Sequence, residues 1–153
     1  MALFTYEILS TQPLRVRNSA GEEKFACEVM QPGSKVYVVS NRGQIVYVGS
    51  TRQPVKSRLS GALRASGENG YYGPAWKKST VSLSLDVWVL DGVAGEKAKR
   101  CITAETIEAE VVFLVRQRDG NWPAYQTEIH FHPSDPQHRK VAESIYDEIR
   151  KRG

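Results

Sequence analysis

The chain is poor in cysteine, with two in 153 residues, Cys27 and Cys101. They have neither metal-ligand spacing nor the density of a disulfide scaffold, which argues against a zinc module and a stapled secreted mini-domain. Long hydrophobic runs are lacking too. No apolar stretch approaches the ~20 residues a membrane span needs. The opening MALFTYEILS has no basic segment followed by an apolar one, so no signal peptide is expected and a reducing cytoplasm is the expected location. There is no internal repeat and no low-complexity segment. Charge of one sign barely dominates: 21 Lys and Arg against 17 Asp and Glu, a net +4, with a pI near 9.1. That mild excess is compatible with a polyanionic partner without requiring one.

What is present fits one domain over residues 1–153, long enough to bury a core without covalent staples. FTYEIL (4–9) and the neighbourhood of KFACEVM (24–30) read as short strands around a polar loop with Asn18 and Gly21. After Pro32-Gly33, KVYVVSNRGQIVYVGST (35–51) reads as a hairpin. A helix starts at Pro54 and runs towards Gly67, and GENGYYGP (67–74) is a loop. TVSLSLDVWVL places Val81, Leu83, Leu85, Val87 and Val89 on one face of a strand. TAETIEAEVVFLVRQ is helical in pattern, DGNWPAYQ is irregular, and YQTEIHFH alternates again. Ser134-Asp135-Pro136 offers an N-cap for a last helix with Val141, Ala142, Ile145 and Ile149 as its apolar stripe. The fold class is α+β, a small antiparallel sheet flanked by helices.

The hairpin carries one tyrosine per strand. A two-residue turn at Arg42-Gly43 would pair Val38 with Tyr47 and send Tyr37 to the other face. A three-residue loop, Asn41-Arg42-Gly43, pairs Ser40 with Gln44 and Tyr37 with Tyr47, with Gly43 in the left-handed position. The second register is preferred. It puts both phenols on one face, with Gly49 leaving open backbone beside them. A core-packing pair of aromatics is the alternative reading.

KVY (35–37), YVG (47–49), Arg58 on the following helix and a later helical glutamate together resemble the GIY-YIG nuclease superfamily. YVGSTRQPVKSRL (47–59) is the most specific stretch, and the resemblance continues through IEAEVVF (107–113) and WPAYQ (122–126). It implies a GIY-YIG-like core over 34–126, an N-terminal strand extension over 1–33, and a C-terminal strand and helix over 127–153. It also implies a DNA endonuclease that needs Mg2+ or Mn2+. On the resemblance, Tyr37, Tyr47, Arg58 and Glu108 are catalytic: the glutamate holds the metal, the arginine faces the phosphate and a tyrosine helps activate water. Gly49 and Gln126 are supporting residues. The chain departs from the family pattern at three places. Ala62 stands where a histidine is frequent, with Lys56 or Tyr71 as substitutes; Gln126 replaces an asparagine; Lys35 replaces the first glycine.

Helical geometry bears on two of these positions. With Val55, Leu59, Ala62 and Leu63 as the buried stripe, Arg58 lies on its flank, about 85° from the centre. It either reaches a groove or snorkels at a boundary. Among Glu105, Glu108 and Glu110, Glu108 falls about 50° from the centre of the Ala104, Ile107, Val111, Leu114 and Val115 stripe, and the others about 110° away. Glu108 is therefore expected to be half-buried, where a carboxylate needs a cation or hydrogen bonds to stay charged. Glu105 and Glu110 are expected on a solvated face.

DNA contacts are assigned to Lys56, Arg64, Lys77 and Lys78. Trp76, Tyr71 and Tyr72 beside Lys77-Lys78 fit either a nucleic-acid surface or core packing. Glu128, His130 and His132 alternate in EIHFH as metal ligands or as a satisfied strand-end cluster. Three functions stay open: an endonuclease, a binding module of the same fold with weakened catalysis, and a non-enzymatic structural or regulatory protein.

Overall fold

Ala2–Thr11 (β1) and Leu14–Asn18 (β2) form an antiparallel hairpin at the start of the chain. The computed structural model describes residues 1–93 and 102–153, so Cys101 lies outside the described residues. β2 replaces the second strand expected near 24–30, where a single helical turn, Cys27–Met30 (α1), forms instead. Leu14 and Val16 are the only apolar residues in β2, too few to signal a strand. The pairing with β1 makes it one, and its outward arginines bridge Glu7 (3.6 Å) and Glu23 (2.7 Å), a charged edge of the kind that discourages sheet-to-sheet association. Asn18 and Gly21 do form the expected turn, with the Asn18 Oδ1 accepting from the Ala20 and Glu22 amides.

Lys35–Asn41 (β3), Gln44–Thr51 (β4) and Leu83–Val89 (β5) complete a five-stranded antiparallel sheet in the order β2-β1-β5-β3-β4. Val55–Arg64 (α2) follows β4, a 3-10 turn spans Ala75–Lys78, and Ile102–Asp119 (α3) and Pro136–Arg150 (α4) close the chain. One face of the sheet, with Val36, Val38, Val48 and Trp88, packs on α3 and α4. The other, with Tyr37, Val39, Leu85 and Val87, packs on Val29, on Val55, Leu59 and Leu63 of α2, and on Trp76. β3 and β5 are covered on both sides, so their apolar residues are nearly continuous rather than alternating. α3 is buried around much of its circumference because α4 packs beside the sheet: Thr103, Thr106, Ala109 and Val112 join the expected stripe. α4 begins as its sequence indicates, with Asp135 capping the His138 amide at 3.1 Å.

Residues 127–135 form no strand, against the expectation for EIHFH. This stretch crosses α3 as an extended strap, with its side chains bonded to the helix. Among the described residues, no helix is long and apolar enough to cross a membrane.

Asp86 sits mid-strand in β5 with no exposure. Its Oδ1 accepts from Thr5 Oγ1 at 2.7 Å and from Arg152 Nη1 at 2.5 Å. Removing the cation leaves a buried carboxylate uncompensated, so Arg152→Ala is expected to cost about 3 kcal/mol. A lowered urea midpoint with unchanged slope would show it.

Candidate active site at the edge of β4

The hairpin joins its strands differently from either expected register. Asn41 pairs with Gln44, so the turn is the two-residue Arg42-Gly43, with φ of +48° and +78°. Both residues are left-handed, as a type I′ turn requires. The three-residue loop is thereby corrected. A two-residue turn alone would put the tyrosines on opposite faces. Val46, however, is an extra residue: Ser40 pairs with Ile45 and Val39 with Tyr47. This β-bulge restores the parity. Tyr37 and Tyr47 therefore share a face but sit diagonally, with ring centroids 6.3 Å apart. Directly opposite Tyr37 is Gly49. The Tyr37 ring occupies the space a side chain would need there: a Cβ on Gly49 would lie 2.3 Å from Tyr37 Cζ.

β4 is the sheet edge, and residues from both faces meet around its end. Tyr37, Tyr47 and Gly49 come from the α2 face, and Arg58 comes from α2 itself. Ser50 lies on the opposite face, where its hydroxyl donates to Glu108 Oε2 at 2.6 Å. Together with Tyr71, Gly73, Pro74, Ala75, Glu105, Thr127, Glu128 and His130 they line one cavity of about 400 Å³. The four residues expected to act together are thus brought together, on elements far apart in the chain. Sequence reasoning missed Ser50 and Thr127, and considered Glu128 and His130 only within EIHFH, apart from this site. Only the position of Ser50 beside Gly49 could have pointed to it.

Burial sets the electrostatics. Desolvation, then the neighbouring Tyr47, pushes the Tyr37 phenol far above its ordinary value, while Arg58 pulls weakly the other way. Tyr47 is raised too, by burial first and then by Glu108. Both phenols are neutral at pH 7, so each can donate and accept hydrogen bonds but neither is a phenolate base. Glu108 is raised from 4.5 to about 7, chiefly by desolvation; the Ser50 hydrogen bond opposes this, and Glu105 adds to it. A desolvated carboxylate facing a cavity is a site that a cation would charge and stabilise.

The other carboxylates are placed otherwise than expected. Glu105 accepts from His132 at 2.6 Å and Glu110 from Ser134 at 2.6 Å, so both are half-buried and hold the 127–135 strap onto α3. The solvated-face reading of these two is corrected. His132 is engaged there, and His130 lies 3.7 Å from Glu128, so the three residues of EIHFH do not converge. Among the described residues, no group of three or more His, Cys, Asp or Glu is placed to share a metal.

Gln126 takes a backbone-like role. Its amide accepts from the Val48 amide at 2.9 Å and donates to the Val48 carbonyl at 3.1 Å. One side chain thus pairs an edge strand beside the cavity.

The cations are scattered. Lys56 borders a separate groove with Phe25 and Met30, away from the cavity. Arg64 and Lys78 are exposed. The Lys77 ammonium is bonded to the Ala65 carbonyl at 2.9 Å and to the Tyr72 carbonyl, which ties down a loop. Trp76 is core, packed against Tyr47. Lys35, at the first-glycine position, is buried with its ammonium on the Gln31 and Gly33 carbonyls. No family model matches the chain, and neither the curated proteins nor the solved structures yielded a match.

Proposed function

We propose that the chain is a metal-dependent DNA endonuclease with a GIY-YIG-type active site. The observation that supports this best is the single cavity lined by Tyr37, Tyr47, Arg58 and Glu108. Hydrolysis of a phosphodiester needs a positioned water, charge stabilisation on the phosphoryl oxygens and help for the leaving oxygen.

The residues fit Mg2+ or Mn2+. Mg2+ keeps most of its waters and takes one or two carboxylates plus substrate phosphate, so one desolvated glutamate suits it better than a closed cage would. When bound, the ion would polarise a phosphoryl oxygen and stabilise the leaving oxygen. Glu108 would hold it, oriented by the Ser50 hydroxyl. Arg58, on the flank of α2, faces the phosphate and offers a fork of donors to its oxygens. Tyr37 is fixed by burial and by Gly49, so its hydroxyl serves as a rigid donor. Tyr47 shares its proton network and is closer to solvent, which suits it to orient the attacking water.

Ala62, where a histidine is frequent in the family, favours a second reading: a module of this fold that binds DNA with weakened catalysis. The test is incubation of the purified protein with supercoiled plasmid, with and without Mg2+ or Mn2+. Nicking that requires the metal is the expected result. Binding without nicking under either metal would replace the endonuclease reading by the second one.

A further inference from the structure

Two adjacent tyrosines outside the core remain unexplained. Tyr71 is 50% exposed at the cavity wall and Tyr72 is 66% exposed beside it. They sit on the 67–74 loop, and that loop is heavily built. Gly67, Asn69, Gly70 and Gly73 all have positive φ, from +53° to +117°. Gly67 and Tyr71 close a tight turn, with the Gly67 amide on the Tyr71 carbonyl at 2.9 Å. The loop's one carboxylate, Glu68, is occupied by the Ser66 amide at 2.8 Å and hydroxyl at 2.9 Å. Lys77 ties the loop to the end of α2, donating to the Tyr72 carbonyl and to the Ala65 carbonyl. Gly73 presses against α2, where a Cβ would lie 2.6 Å from the Ala62 carbonyl. Gly67 also leaves room for the Tyr72 ring, where a Cβ would lie 2.9 Å from its Cε1, yet both phenols stay at least half exposed, more than the packing of the loop itself requires.

Arg64 at the end of α2 and Lys78 on the 3-10 turn bracket the loop in the chain and are both exposed, so the rings stand on a surface with a cation in the element before and the element after. Such a surface suits strands whose base faces are open, because stacking requires an unpaired base; a continuous duplex hides those faces.

We propose that the 67–74 loop is a stacking platform for unpaired nucleotides of DNA next to the scissile phosphate, so that the substrate is single-stranded, looped or branched DNA, including the unpaired stretches that negative supercoiling opens in a plasmid, rather than relaxed continuous duplex. This rests on the endonuclease reading of the adjoining cavity. Lys77 acts as a positioning residue for the platform rather than as a phosphate contact.

The test uses fluorescently labelled oligonucleotides and the whole chain, first without divalent metal. A single strand, its blunt duplex, that duplex with a central mismatched bubble, and an RNA strand of the same sequence are compared by anisotropy. Single strand and bubble are expected to bind at least about tenfold tighter than duplex, and Tyr71→Ala and Tyr72→Ala each to lose about 5- to 150-fold of that binding. Tyr71→Phe and Tyr72→Phe keep the ring and should keep the affinity. Equal binding of the duplex, wild-type affinity in both alanine variants, or tighter binding of RNA would overturn the proposal. Mg2+ is then added. Tyrosine-dependent binding of single strand with no cleavage supports the platform and removes the endonuclease. Nicking of duplex without preference for the bubble does the reverse.

Discussion

Glu108→Gln is expected to lower metal-dependent plasmid nicking by orders of magnitude while DNA binding persists. The variant keeps the shape and the Ser50 partner of the side chain, and removes only the charge that would hold the ion. Binding should hold or tighten, because a negative charge facing phosphates is gone. The neighbouring carboxylates supply the contrast. Glu105→Ala and Glu110→Ala release His132 and Ser134, so each should cost about 1 kcal/mol of stability yet keep most nicking. Nicking by Glu108→Gln at the wild-type rate across a Mg2+ and Mn2+ titration would remove Glu108 from the site.

The same substitution carries a pH signature. Glu108 in the folded chain titrates near 7 rather than at 4.5. Between those values the folded protein holds a proton that the unfolded chain has lost. Stability attributable to this group is therefore full below pH 4.5 and is lost as pH rises through about 7. Without divalent metal, Glu108→Gln should be more stable than wild type at pH 8, by about 1–3 kcal/mol, and the gain should fade towards pH 5. Adding Mg2+ should stabilise the wild type and leave the variant unmoved. Thermal melts at the two pH values, with and without Mg2+, read all of this.

Gly49→Ala is the second large effect. Its φ is ordinary, so the cost is not conformational; the cost is space. The new Cβ would meet Tyr37 Cζ at 2.3 Å and Oη at 2.5 Å. Tyr37 is itself buried, so its ring can yield only by breaking its packing. Overpacking of this kind is expected to cost about 3 kcal/mol, a melting temperature lower by roughly 6–12 °C for a chain of this length. The displaced phenol also leaves the cavity, so nicking should fall sharply. A second change separates the two losses. In Gly49→Ala with Tyr37→Val the shorter side chain makes room, so stability should partly return while nicking does not. Such non-additivity marks direct contact. If the pair is no more stable than Gly49→Ala alone, the ring does not occupy the space above Gly49.

How much of this was legible in the sequence follows the range of the interactions involved. α2 and α4 are set by local signals: a proline at the N-cap of α2 and another in the first turn of α4, a capping Asp135, and apolar residues at helical spacing. Leu83, Leu85, Val87 and Val89 share a face because strand side chains alternate, whatever the strand pairs with, whereas Val81, expected with them, precedes β5 and is exposed. The burial of Glu108 also follows from helical phase, since its place beside the stripe is fixed by the turns of α3.

Only the tertiary structure decided the rest. β2 exists because β1 offers an edge to pair with, and the KFACEVM stretch that looked more like a strand had no such partner. The bulge at Val46 has no signature of its own among residues that all favour strands. Tyr37 and Tyr47 nevertheless end on one face through the sum of a shorter turn and an inserted residue, a count that only the pairing with β3 reveals. Glu105 and Glu110 look solvated from the phase of α3 alone; they are half-buried because a strap distant in sequence bonds to them. Lys77 reads as a free cation until the loop it anchors is seen folded against α2. Periodicity along a chain encodes which way a side chain points from its own backbone; what it then meets is settled by strands and straps that arrive from elsewhere in the chain.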